Sequence, residues 1–75
     1  MITVDVYGYI DDFGDQVEDF VVNGTALFYM NASDNEKDRE KTARLCAKGK
    51  FVFPVNAEQH MDENAVLIAT YTFKE

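Results

Sequence analysis

Residues 17–30, Val17-Glu18-Asp19-Phe20-Val21-Val22-Asn23-Gly24-Thr25-Ala26-Leu27-Phe28-Tyr29-Met30, decide the architecture of this chain. Asn23-Gly24 between two runs of β-formers is a strong hairpin signal, because both residues accept the positive φ of a type I′ turn. Such a turn sets Val22 opposite Thr25, Val21 opposite Ala26 and Phe20 opposite Leu27. A helix competes for the first half: Phe13, Val17, Phe20 and Val21 also fit helical spacing. Asp15-x-x-Glu18 has the form of a capping box, and Gly24 would make a stop. The Phe-Val-Val run, aromatic then β-branched, favours the strand, with residues 15–23 as a helix kept as its rival.

Working outward, Ile2-Thr3-Val4-Asp5-Val6-Tyr7-Gly8-Tyr9-Ile10 alternates with period two. Ile2, Val4, Val6 and Ile10 share one face, Thr3, Asp5, Tyr7 and Tyr9 the other, and Gly8 marks a bulge. Downstream, Ser33-Asp34-Asn35-Glu36 reads as a capping box and Gly49 as a stop, which predicts one helix over about 34–48. Lys50 to Val55 reads as a short strand at an edge, since Pro54 cannot donate to a ladder. Asn56 to Asn64 reads as a polar loop. Residues 65–73 form a last strand, apolar on both faces at its start and so expected to be central. The expected fold is α+β: a curled antiparallel sheet of five strands with one helix, in the order β-β-β-α-β-β, spanning residues 1–75 as one domain.

That layout has too little cover. The helix offers Ala43, Leu45, Cys46 and Ala47 against Phe20, Leu27, Phe28, Met30, Phe51, Phe53, Leu67, Ile68 and Phe73 on the strands. Either the sheet curls under the helix or an apolar face meets another molecule, a homodimer among the options. A chain this short buries only about 60% of its unfolded surface in any case.

The net charge of −7 is unevenly spread. Residues 1–36 carry −8 with no base, residues 37–50 carry +4, and residues 51–75 carry −3. Partition of this kind concerns partners rather than fold. The stretch Asp11-Asp12-Phe13-Gly14-Asp15-Gln16-Val17-Glu18-Asp19 holds five carboxylates in nine residues. Its ordinary reading is a solvated turn built from Asp and Gly. A calcium loop is disfavoured, because Asp11, Asp12 and Asp15 lack the alternating ligand spacing and the closing bidentate Glu. The third reading is phosphate mimicry. Same-face residues on a strand lie about 6.5–7 Å apart, a scale comparable to the phosphates of one duplex strand. Asp5, Asp11, Asp12, Asp15, Glu18 and Asp19 would then form the partner-binding surface, with Tyr7 and Tyr9 as aromatic anchors.

Lys37, Lys41, Arg44 and Lys48 fall within about 60° on a helical wheel. This basic stripe reads first as a solvated face that complements the helix dipole at its C-terminal end. Neutralisation by the acidic strands and contact with nucleic-acid phosphates are the alternatives, the latter opposed by the charge of the whole chain.

Catalysis finds little to build on, and the expectation is a non-enzyme with no cofactor and no metal. His60 stands alone in a polar loop, Cys46 lies on the helix's apolar side, and a thiolate pair would need a third, orienting group. Two such ligands do not make a zinc site. No glycine-rich phosphate loop is present, no apolar run is long enough to span a bilayer, and Met1-Ile2-Thr3-Val4-Asp5 does not read as a signal peptide. With one cysteine, a reducing cytosolic setting is expected, a host's cytosol if the chain is phage-encoded.

In type the chain resembles small acidic phage proteins that inhibit nucleic-acid enzymes, the uracil-DNA glycosylase inhibitors and anti-CRISPR proteins. Met61-Asp62-Glu63-Asn64-Ala65-Val66-Leu67-Ile68 is similar to an acid-then-strand segment of the glycosylase inhibitors. The resemblance covers these eight residues and no functional residue is carried over. Two functions are expected from these features. One is an inhibitor from a phage or mobile element that blocks a basic nucleic-acid-binding protein as a DNA mimic. The other is a non-catalytic assembly subunit that self-associates through an exposed sheet face.

Overall fold

The computed structural model describes residues 1–49 and 63–74. Strands β1 (Ile2–Ile10), β2 (Gln16–Val22) and β3 (Thr25–Asn31) precede helix α1 (Glu36–Ala47), and β4 (Val66–Phe73) follows it. All strand pairs are antiparallel, in the order β3-β2-β1-β4, and the helix covers one face. The class is α+β with an antiparallel sheet and a single helix among the described residues. The strand expected at Lys50–Val55, most of the following loop, and His60 lie outside the described residues.

Residues 16–22 are strand, not helix. Asn23 and Gly24 take φ of 48° and 87°, the two left-handed residues of a type I′ turn. The turn is also tied to β1: Asn23 N–H donates to the Thr3 carbonyl, and Asn23 Oδ1 accepts from Thr3 N–H, both at 2.9 Å. Val22 pairs with Thr25 and Val21 with Ala26 as expected, but Phe20 pairs with Phe28. Leu27 is an extra residue at a bulge, which shifts the register by one.

The bulge expected at Gly8 sits on the neighbouring strand. Val6 pairs with Ala69 and Tyr7 with Leu67, so Ile68 is the inserted residue. Its side chain lies over Gly8, where a Cβ would stand 3.3 Å from Ile68 Cδ1. The glycine makes room for the bulge across from it.

The core joins Val4 and Val6 of β1, Phe20 of β2, and Ala43 and Cys46 of α1, with Ile2, Val22, Met30, Ala69, Tyr71 and Phe73 around it. Phe20 is wholly buried and contributes about 1.5–3 kcal/mol. Cys46 is core: burial pushes its thiol up to about 11.

The helix begins later than the Ser33 capping box predicts. Its cap is Asn35, whose Oδ1 accepts from Asp38 N–H at 3.0 Å. Ser33 is engaged elsewhere, as described below. At the other end Gly49, at φ 74°, donates to the Cys46 carbonyl and closes the helix. The last strand, expected over residues 65–73, runs from Val66 to Phe73. In the described sheet β4 pairs with β1 alone, and Val66, Leu67 and Ile68 are exposed.

Candidate functional site

The acids of residues 5–19 do not form one surface. Antiparallel pairing sorts them by face: Gly8 lies opposite Glu18, and Tyr7 opposite Asp19, so the two carboxylates leave the sheet on opposite sides.

Glu18 turns toward the helix and is 1% exposed. Its Oε1 accepts from Ser33 N–H at 3.1 Å and Ser33 Oγ–H at 2.9 Å. Oε2 accepts from Arg39 Nε–H at 2.8 Å, with Arg39 Nη2 also 2.8 Å away. A buried carboxylate needs such company, because desolvation would otherwise drive it to neutrality. Burial pulls the Arg39 guanidinium's pKa down, but the bond and charge of Glu18 outweigh it and the net shift is upward.

Asp19 turns to the other face and is also 1% exposed. Tyr9 donates its hydroxyl to Asp19 Oδ1 at 3.3 Å. Partial burial, then the Asp19 charge and bond, push the Tyr9 hydroxyl up to about 12. Glu18 and Asp19 therefore drop out of the expected carboxylate surface, and Tyr9 is bound rather than offered as an anchor. Asp5 and Tyr7 are half-buried on that second face, where Thr70 Oγ1–H donates to Asp5 Oδ1 at 2.9 Å.

Asp11 is turn chemistry. Its Oδ1 accepts from Phe13 N–H and Asp15 N–H, each at 2.9 Å, while its carbonyl accepts from Gly14 N–H at 3.0 Å. Gly14 takes φ 85°, and Asp11 N–H closes the loop on the Asp15 carbonyl at 2.9 Å. The result is a compact hairpin loop that leaves Asp12 and Asp15 exposed, with Phe13 between them at 90% exposure. Among the described residues no three His, Cys, Asp or Glu side chains converge on a metal position.

The topology gathers other groups around this loop. Ala32 N–H donates to the Gln16 carbonyl, so the approach to α1, with Asp34 and Glu36, lies at the same end of the sheet. Val66 pairs with Gly8, which brings the start of β4 and exposed Glu63 there too. Ile10, Phe13, Val66, Leu67 and Ile68 are all bare at this end. Exposed apolar and acidic side chains thus share one end of the sheet, with Val66 on the Gly8 side and Leu67 on the Tyr7 side. Asp34, Glu36, Glu63 and the apolar residues were missed in sequence, because only strand order places them beside the loop.

The basic stripe stays together on the exposed side of the helix. Lys37, Lys41, Arg44 and Lys48 are exposed, whereas Arg39, off the stripe, neutralises Glu18. Arg44 lies 3.9 Å from Glu40 and 5.0 Å from the centre of the Phe73 ring. No helix among the described residues is long and apolar enough to cross a membrane. Comparison with family models, curated proteins and solved structures finds no match for this chain.

Proposed function

We propose that this chain is a small acidic interaction protein that binds and blocks a basic, nucleic-acid-handling partner. Asp12 and Asp15 stand where duplex phosphates would sit, and Phe13 is the anchor between them. The observation that carries the reading is the coincidence of bare apolar side chains and exposed carboxylates at one end of the sheet. Isolated exposed apolar residues need no explanation; Ile10, Phe13, Val66 and Ile68, exposed at the same end as Asp12 and Asp15, supply the apolar and acidic groups that a protein interface uses. Glu18 and Asp19, both buried, are outside the proposed binding surface. The proposal includes no catalysis and no cofactor, and it places the protein in the cytosol with its partner.

A second reading is an assembly subunit. It is favoured by Val66-Leu67-Ile68, three consecutive exposed residues on an outer strand of the described sheet. Reversing charge in the loop (Asp12→Lys with Asp15→Lys) separates the two. Loss of partner binding at an unchanged unfolding midpoint is expected. Retained binding would overturn the partner reading.

A further inference from the structure

The acidic end has a counterpart. Phe73 lies opposite Ile2, at the start of β1, while the loop of residues 11–15 lies beyond Ile10 at its finish. The nine residues of β1 separate these ends by about 25 Å. Between α1 and β4, at the Ile2 end, runs a groove of about 360 Å³. Ile2, Ala47 and Phe73 give it an apolar floor, and Arg44, Lys48 and Lys74 supply three positive charges. Glu40 also lines it and partly offsets Arg44, so the groove stays net positive in a chain of net charge −7.

We propose that this groove receives the Asp11–Asp15 loop of a second copy of the chain. Phe13 enters against Phe73 and the Arg44 guanidinium, while Asp12 and Asp15 meet Lys48 and Lys74. The volume is near the lower end of small-ligand pockets, about 300–1,000 Å³, which suits one aromatic side chain and its neighbours. The chemistry matches on both counts. A bare phenyl ring gains from an aromatic and a cationic platform, and paired carboxylates gain from paired ammonium groups.

The two surfaces lie at opposite ends of one molecule, so the contact is heterologous. Each copy that inserts its loop leaves its own groove open, and growth runs head to tail into a chain or ring rather than a two-fold dimer. One loop in one groove is a small interface, which makes the association weak, concentration-dependent and salt-sensitive. It also competes with a basic partner for the same loop. The inference stands on loop and groove alone, and its test contains no partner, so its failure leaves the partner reading untouched.

Sedimentation velocity on the full chain, up to about 1 mM protein at about 50 mM salt, reads it directly. The wild type should grow in mass with concentration and return toward monomer at higher salt. Phe13→Ser (loop lost) and Lys48→Glu with Lys74→Glu (groove lost) should each be monomeric. Mixed in equal amounts, the two variants should form a species that stops at a dimer, because one intact loop then faces one intact groove. A monomeric wild type, self-association that survives Phe13→Ser, or a mixture that stays monomeric would each overturn the proposal.

Discussion

Arg39 of α1 grips Glu18 of β2 through a single carboxylate oxygen, with Nε and Nη2 both 2.8 Å from Oε2. Ser33, just before the helix, holds the other oxygen. One buried acid therefore sets how the helix enters and where it lies on the sheet. Ser33 is held at Glu18 through both its N–H and its hydroxyl, and Asn35 caps the helix in its place.

Breaking that pair should be costly. The Glu18 side chain is 2% exposed and that of Arg39 22%, so Arg39→Ala strands an uncompensated buried carboxylate. Loss of about 3–5 kcal/mol is expected, a large share of the roughly 5–15 kcal/mol that holds a domain folded. Glu18→Met combined with Arg39→Met should cost less than Arg39→Ala, since no charge is then left buried. Urea unfolding of the variants checks this ordering.

The acids of the first loop should separate in the same way. Asp11→Ala removes the acceptor for two backbone N–H groups and should cost about 1–2 kcal/mol. Asp12→Ala and Asp15→Ala should stay within about 0.5 kcal/mol of wild type. Equal costs at the three positions, measured by thermal unfolding, would refute this division into one structural and two presented carboxylates.

The fold was legible where local chemistry decides it, and the site was not. Asn23-Gly24 needs positive φ, and period two marks Ile2 to Ile10, so hairpin and first strand follow from the sequence. The Leu27 bulge escaped and the one expected at Gly8 falls across from it at Ile68, because both are set by the fit between neighbouring strands rather than by either strand alone. The acid cluster misled for a related reason. Glu18 and Asp19 are adjacent in sequence, and a strand sends adjacent side chains to opposite faces. That rule was available, but only the fold shows Glu18 buried against Ser33 and Arg39 on the helix side and Asp19 buried beside Tyr9 on the other. Arg39 was overlooked because a stripe of like charges draws the eye away from the one base that is off it.

Alkaline pH should weaken the fold in a defined window. Burial raises Cys46 from 9.0 to about 11, and burial with Asp19 raises Tyr9 from 10.0 to about 12. Each group is held in its neutral form, so its contribution is fully present below its unfolded pKa and is lost as pH rises through the folded one. Stability should be insensitive to these two groups below about pH 9 and fall between about 9 and 12. In Cys46→Ala the fall should begin nearer 10, the unperturbed tyrosine value. Urea midpoints at stepped pH test the sign, and a rise in stability across that window would contradict it.

The bare apolar end makes its own prediction. Ile10→Ser and Leu67→Ser should change stability by no more than about 0.5 kcal/mol, whereas Phe20→Ala should cost about 3–5 kcal/mol. Hydrophobic-dye binding by the native wild type should drop in both serine variants. A large stability loss at Ile10 or Leu67 would mean these side chains serve the core.

The most direct test of the account is capture of proteins from a nuclease-treated lysate on the immobilised chain, followed by elution with duplex DNA. A protein that is retained by wild type, released by DNA and not retained by Asp12→Lys with Asp15→Lys is the predicted result. It would mean that the loop acids occupy a nucleic-acid groove. No DNA-releasable protein, or one that the reversed loop holds equally well, would contradict phosphate mimicry and leave self-assembly as the function of the exposed end.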